Sequence, residues 1–96
     1  MSPNFRPGLV ISDPITQKEL NGIVTVVPIT NSVSTFFTRV NLDEYKLETK
    51  GDILMDQVKV LDLSEREYEF IEKVPKSVLS KCNTIFNAIY EKLLDS

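Results

Sequence analysis

Apolar residues change their spacing once along this chain, between Leu61 and Ser77, and that change limits the fold more than any other feature. Before it they fall in short runs of strand length. Gly8–Ser12 is aliphatic and bracketed by Pro7 and Pro14, and Ile23–Ile29 is almost wholly β-branched. Phe37–Leu42 alternates, with Phe37, Arg39 and Asn41 on one face and Thr38, Val40 and Leu42 on the other. Ile53–Leu61 is a longer run with Asp56 and Gln57 in its middle. Branched side chains suit a pleated surface, so these segments read as strands. From Ser77 onward Val78, Leu79, Cys82, Ile85, Phe86, Ile89, Tyr90 and Leu93 recur at helical spacing. That pattern predicts an amphipathic helix of about four or five turns. Short strands closed by one helix predict an α+β fold, a small, mostly antiparallel sheet or partly open barrel with the helix packed on it.

The punctuation agrees. Asn21-Gly22 and Lys50-Gly51 are turn signals, and Pro28 marks an edge or bulge at the end of its strand. Ser64-Glu65-Arg66-Glu67 fits a capping box and predicts a short helical turn, which Pro75 separates from the last helix. With 96 residues, residues 1–96 form a single domain. A composition of 42% hydrophobic and 26% charged residues is that of a folded chain. A domain so small gains from oligomerisation. The polar N-terminus and the absence of any long apolar run give no membrane partner and a cytoplasmic location by default.

Chemistry is limited more sharply. The chain has no histidine, so the commonest general base, the commonest metal ligand and every Ser-His or Cys-His nucleophile are excluded. Its single cysteine, Cys82, lies in the apolar helix stripe and reads as a small buried hydrophobe. The three glycines are isolated, so no phosphate-cradling loop is present. The carboxylates show no metal-type clustering, and no cofactor is expected. The net charge of −3 is spread along the chain: residues 1–61 carry six basic and seven acidic groups and residues 62–96 five and seven. Any nucleic-acid contact must therefore use a local cluster.

One reaction survives without histidine or metal, cleavage of RNA by its own 2′-hydroxyl. The substrate supplies the nucleophile, and the protein positions the backbone and stabilises the charge on phosphorus. An arginine fork and a hydroxyl side chain suit that task.

Three segments in order carry a resemblance: Arg6-Pro7, Pro28-Ile29-Thr30 and Asp56-Gln57-Val58-Lys59. With their spacing and the final helix, the chain from about residue 5 to residue 93 resembles the MazF/PemK-like toxin endoribonucleases. That resemblance implies an SH3-like partly open barrel of the CcdB/MazF kind. It implies a toxin of a type II toxin–antitoxin system that cuts single-stranded mRNA without metal, acts as a homodimer and is neutralised by a cognate antitoxin. Arg6 and Thr30 would flank the scissile phosphate as catalytic residues. Asn31, Phe37, Asp56, Gln57 and Lys59 would line the RNA groove, Phe37 by stacking on a base. Read as residues alone, Thr30 equally finishes a strand, Phe37 equally fills a core, Lys59 equally points to solvent, and Asp56 equally holds a turn or salt bridge.

The chain departs from the family pattern at three places. Asn31 separates Thr30 from Ser32, where the family has serine directly after threonine. Leu54 stands where some members carry an arginine, which places more of the phosphate chemistry on Arg6. Met1–Phe5 stand where the family has a strand and a loop, so the resemblance implies a shortened N-terminal edge or one completed by a partner chain. The alternative function is a non-catalytic or truncated module on the same scaffold that binds an antitoxin or a gyrase-like target.

Overall fold

The computed structural model describes residues 6–12, 18, 19, 21–32 and 37–95, with side chains through residue 91. The Met1–Phe5 edge expected from sequence lies outside the described residues, as does the side chain of Leu93 in the helix stripe. Five strands make an antiparallel sheet that does not close: β1 (Gly8–Val10), β2 (Ile23–Thr30), β3 (Arg39–Asn41), β4 (Asp52–Leu54) and β5 (Lys59–Asp62). A 3-10 turn (Leu63–Glu65) and a 20-residue helix, α1 (Lys76–Asp95), follow.

β2 is the spine. It pairs with β1 along one edge, while its other edge is shared by β5 at the N-terminal half and β4 at the C-terminal half; β3 extends the sheet beyond β4. The change of neighbour falls at Pro28. Val26 pairs with Lys59, yet Thr30 pairs with Asp52, so the register steps by three residues across Pro28. In the β1 ladder Pro28 stands opposite Gly8, and Ile29 donates to the Pro7 carbonyl at 3.1 Å. Donors alternate sides along a strand, so the missing N–H of Pro28 falls on the edge shared by β4 and β5. The ladder breaks where the donor is absent. The run Ile53–Leu61 is consequently two strands rather than one, and Asp56 and Gln57 leave the middle of a strand for an exposed turn closed by Gln57 N–H to the Leu54 carbonyl at 3.1 Å.

One face of the sheet is dry. Leu9, Val27, Val40, Leu42, Ile53 and Met55 join Val78 and Cys82 of α1 in a single buried cluster, with Ile29, Ile85, Phe86 and Ile89 packed against it. The Ile29–Ile53–Val40 rung spans β2, β4 and β3 beneath the helix. The helix starts on the Pro75 carbonyl, which accepts from Val78 at 3.0 Å. Burial pushes the Cys82 thiol above its ordinary pKa, so it is held neutral as a core side chain. The 3-10 turn is capped by Asp62, whose Oδ1 accepts from Ser64 N–H at 3.0 Å, two residues earlier than the capping box at Ser64 implies.

Residues 66–75 are irregular; Val74 packs against the core, and Glu72 ties the segment to the backbone of Glu48 and Thr49. Glu72 accepts backbone N–H bonds from Thr49 at 2.7 Å and Glu48 at 3.1 Å. Those bonds, the Thr49 one first, hold its carboxyl below the ordinary value of 4.5. A carboxylate favoured by the fold stabilises above the unfolded pKa, and the contribution is lost as pH falls through the lower folded value. Thermal melts of wild type and Glu72→Gln should therefore differ at neutral pH and converge as the pH falls below about 4. A gap independent of pH would rule this out.

Candidate functional site

The other face of the sheet is apolar at Val10, Val26 and Leu54 and polar around Thr30, where one rung gathers the candidate residues. Thr30 pairs with Asp52, and Asp52 pairs with Asn41. The β1–β2 register runs Gly8 to Pro28, Leu9 to Val27 and Val10 to Val26, and the Ile29–Pro7 bond continues it. One further step sets Arg6 across from Thr30. Cross-strand neighbours project to the same side, so Arg6, Thr30, Asp52 and Asn41 form a row on the face opposite the helix-covered core. Arg6 is exposed and carries no hydrogen bond or ion pair among the described residues.

The end of β2 turns back on its own hydroxyl. Thr30 Oγ1 accepts from Ser32 N–H at 3.2 Å and lies 3.1 Å from Ser32 Oγ. Such a side-chain turn is a frequent use of threonine at a strand end. The serine displaced by Asn31 thus still closes over Thr30. Exposed Asn31 sits at the top of this turn, its Oδ1 beside Gly51.

Behind the turn lies a network that the motifs do not announce. Arg39 Nη1 donates to the Ser32 carbonyl at 2.8 Å and lies 3.5 Å from Asp52 Oδ2, with the two side chains only 17% and 11% exposed. Asp52 Oδ1 accepts from Asn41 Nδ2 at 2.7 Å. Arg39 pairs in register with Leu54, so a cation stands on β3 directly across from Leu54. The alternation of Phe37–Leu42 is the one sequence signal for this network: it sets Arg39 and Asn41 together on the polar face. Nothing local connects them to Asp52.

The remaining candidates are spread along the same face. Past the β3–β4 ladder Met55 N–H donates to the Thr38 carbonyl at 3.0 Å, and Phe37 directly precedes Thr38 in a turn. Phe37 is 70% exposed, which removes the core reading and leaves its ring accessible. Asp56 and Gln57 are exposed on the β4–β5 turn. Lys59 pairs with Val26, four residues back along β2 from Thr30, or about 13 Å at the usual rise per residue. The site thus has a compact end at Arg6 and Thr30 and a second end at Lys59.

Beside the rung, a groove of about 390 Å³ runs between Arg39–Asn41 of β3 and Ser80, Lys81 and Thr84 of α1. Lys81 Nζ donates to Glu44 Oε1 at 2.6 Å and stands 5.3 Å from the Tyr45 ring centre. That hydrogen bond holds the Glu44 carboxyl below its ordinary pKa and raises that of Lys81. Among the described residues no group of three or more His, Cys, Asp or Glu side chains could hold a metal ion, and no helix is long and apolar enough to cross a membrane.

The profile of the PemK-like, MazF-like toxins of type II toxin–antitoxin systems matches residues 2–90. The chain belongs to this family. Among solved structures, MazF in the Deinococcus radiodurans MazE–MazF complex (form I) is 26% identical with a TM-score of 0.79, over 90% of this chain and 82% of that one. Two more distant MazF-like folds agree in architecture. Mycobacterium tuberculosis toxin MazF-mt6 is 20% identical with a TM-score of 0.73, over 90% of this chain and 86% of that one. A mycobacterial endoribonuclease in complex with its cognate antitoxin is 20% identical with a TM-score of 0.74, over 86% and 78%. Comparison with curated proteins gives no match. The MazF-like sheet and helix are therefore those of this chain, and the Arg6–Thr30 rung lies within the matched span.

Proposed function

We propose that this chain is the toxin of a type II toxin–antitoxin pair and cleaves single-stranded RNA without a metal ion, as a homodimer neutralised by a cognate antitoxin. What supports the reading is the β1–β2 register, which, continued one step past the bond from Ile29 N–H to the Pro7 carbonyl, sets Arg6 level with Thr30. A guanidinium fork and a hydroxyl then flank a position where a phosphate can sit. Arg6 donates to the non-bridging oxygens, whose negative charge grows as phosphorus becomes five-coordinate, and protonates the departing oxygen. Thr30 Oγ1 accepts from Ser32 N–H and lies 3.1 Å from Ser32 Oγ; with Ser32 as donor in that pair, the Thr30 O–H turns to the phosphate. The bond that forms joins O2′ to phosphorus, and the bond that breaks is P–O5′. The 2′-hydroxyl proton goes to water, and water returns one to Arg6 as it protonates O5′, leaving a 2′,3′-cyclic phosphate and a 5′-hydroxyl.

Asn31, Phe37, Asp56, Gln57 and Lys59 extend the surface along which an RNA strand would lie. Phe37 offers a stacking face, Asp56 and Gln57 offer base-edge acceptors and donors, and Lys59 offers a phosphate contact. A short row of positive and hydrogen-bonding groups on one face is how an acidic protein would hold RNA.

Mixed-sequence single-stranded RNA incubated with the purified chain in EDTA should be cut at defined sites, and the fragments should carry cyclic phosphate and 5′-hydroxyl ends. Intact RNA, together with capture of an antitoxin peptide, would replace this reading with a non-catalytic module on the same scaffold.

A further inference from the structure

We infer that Arg39 is a positioning residue: it fastens the Thr30–Ser32 turn to the sheet and so fixes the direction of the Thr30 hydroxyl. The inference rests on Thr30 acting at the scissile phosphate, as proposed above. The turn itself is weakly held. Its internal bonds are those of Thr30 Oγ1 with Ser32, both on exposed groups, and Asn31 and Ser32 are exposed. One further described bond ties it down, from Arg39 Nη1 to the Ser32 carbonyl at 2.8 Å.

Arg39 is in turn held in place. Asp52 lies 3.5 Å away as its counter-charge, and Asn41 anchors Asp52 at 2.7 Å. The chain of contacts therefore runs from Asn41 on β3 through Asp52 on β4 to Arg39 on β3, and from there to the end of β2. Every link comes from a residue in the sheet, which moves less than a loop. A guanidinium so committed is not a free phosphate ligand. It is largely covered, carries its own carboxylate, and spends a donor on a backbone carbonyl. Arg6, exposed on the same face, has none of these restraints.

The two roles separate in kinetics. A phosphate ligand contributes to binding and to its salt dependence, whereas a positioning residue acts on the geometry of the reacting groups. Arg39→Met keeps the aliphatic stem and removes the donors. We expect kcat to fall about tenfold or more, as for a reacting group displaced by an ångström or less. KM should stay within about twofold with its salt dependence unchanged. Arg39→Lys, which can still donate to Ser32, should recover part of kcat. Because Arg39→Met leaves the Asp52 carboxylate unpaired, the double variant Arg39→Met/Asp52→Asn is the control for folding and should show the same kcat loss.

A second readout needs no catalysis. Backbone amide order parameters at Asn31 and Ser32 should fall below about 0.6 in either variant, while those of α1 and β5 stay near the rigid value of about 0.85. Unchanged order in the turn overturns the inference. So does a rise in KM with kcat intact, which would make Arg39 a substrate ligand, or a loss of order throughout the sheet, which would make it merely structural. If the unmutated chain cuts no RNA, the ribonuclease reading fails, and the order parameters still decide whether Arg39 holds the turn.

Discussion

Replacing Arg6 by alanine should lower kcat/KM for RNA cleavage by about two to three orders of magnitude, the usual cost of removing one donor aimed at developing charge, or roughly 3–4 kcal/mol of transition-state stabilisation. The expectation follows from what else the polar face offers. Arg39 is engaged with Asp52 and the Ser32 carbonyl, and Lys81 with Glu44. Lys59 stands at the far end of the face, paired with Val26. Arg6 is thus the cation level with Thr30 that has no competing contact among the described residues. Because it is exposed, its loss should leave folding stability within about 0.5 kcal/mol. Arg6→Lys keeps the charge but not the fork, and should lie between wild type and alanine. A fluorogenic RNA substrate with matched thermal melts checks all three. Wild-type activity in Arg6→Ala would move the phosphate site elsewhere on the face.

Much of this site is legible in the amino-acid sequence because its parts lie in local patterns. Pro28 announces a bulge or edge, and the ladder does change partner there. The alternation from Phe37 to Leu42 separates core from surface correctly, with Val40 and Leu42 buried and Arg39 and Asn41 on the polar side. The helix stripe likewise delivers Val78 and Cys82 to the core. What escapes is long-range register. Asp52 falls between the Lys50-Gly51 turn signal and the Ile53–Leu61 run and carries no signal of its own, yet it is buried between Thr30 and Asn41 because the ladder steps by three residues at Pro28. The same step moves Asp56 and Gln57 out of a strand. Such a step results from one absent N–H acting across two strands, and no window along the chain contains it. The Arg39–Asp52–Asn41 network inherits that invisibility, since its members are 13 and 11 residues apart.

The largest stability effect should come from a residue with no side chain. Gly51 is buried and has φ of +111°, a region that L-residues rarely adopt. A Cβ built on it would lie 2.3 Å from the Thr30 carbonyl oxygen and 3.0 Å from Asn31 Oδ1. The first of these is backbone within a paired strand and cannot step aside. Gly51 is also bonded on both sides, its N–H to Asp43 Oδ1 at 2.9 Å and its carbonyl to Leu42 N–H at 2.8 Å. Strain at such a φ and overpacking each cost about 1–3 kcal/mol, so Gly51→Ala should destabilise the domain by roughly 2–6 kcal/mol. For a chain of this size that is a fall in Tm of about 10 °C or more. The clash falls on the carbonyl of Thr30 itself, so whatever fraction remains folded has the end of β2 displaced from its turn. Cleavage by Gly51→Ala at a temperature where it is still folded should therefore drop further than the folded fraction accounts for. Circular-dichroism melts measured beside RNA cleavage separate the two losses. A Tm unchanged by the substitution would mean that the Asp52–Thr30 rung is not packed as described, and with it the alignment of Asp52, Thr30 and Arg6.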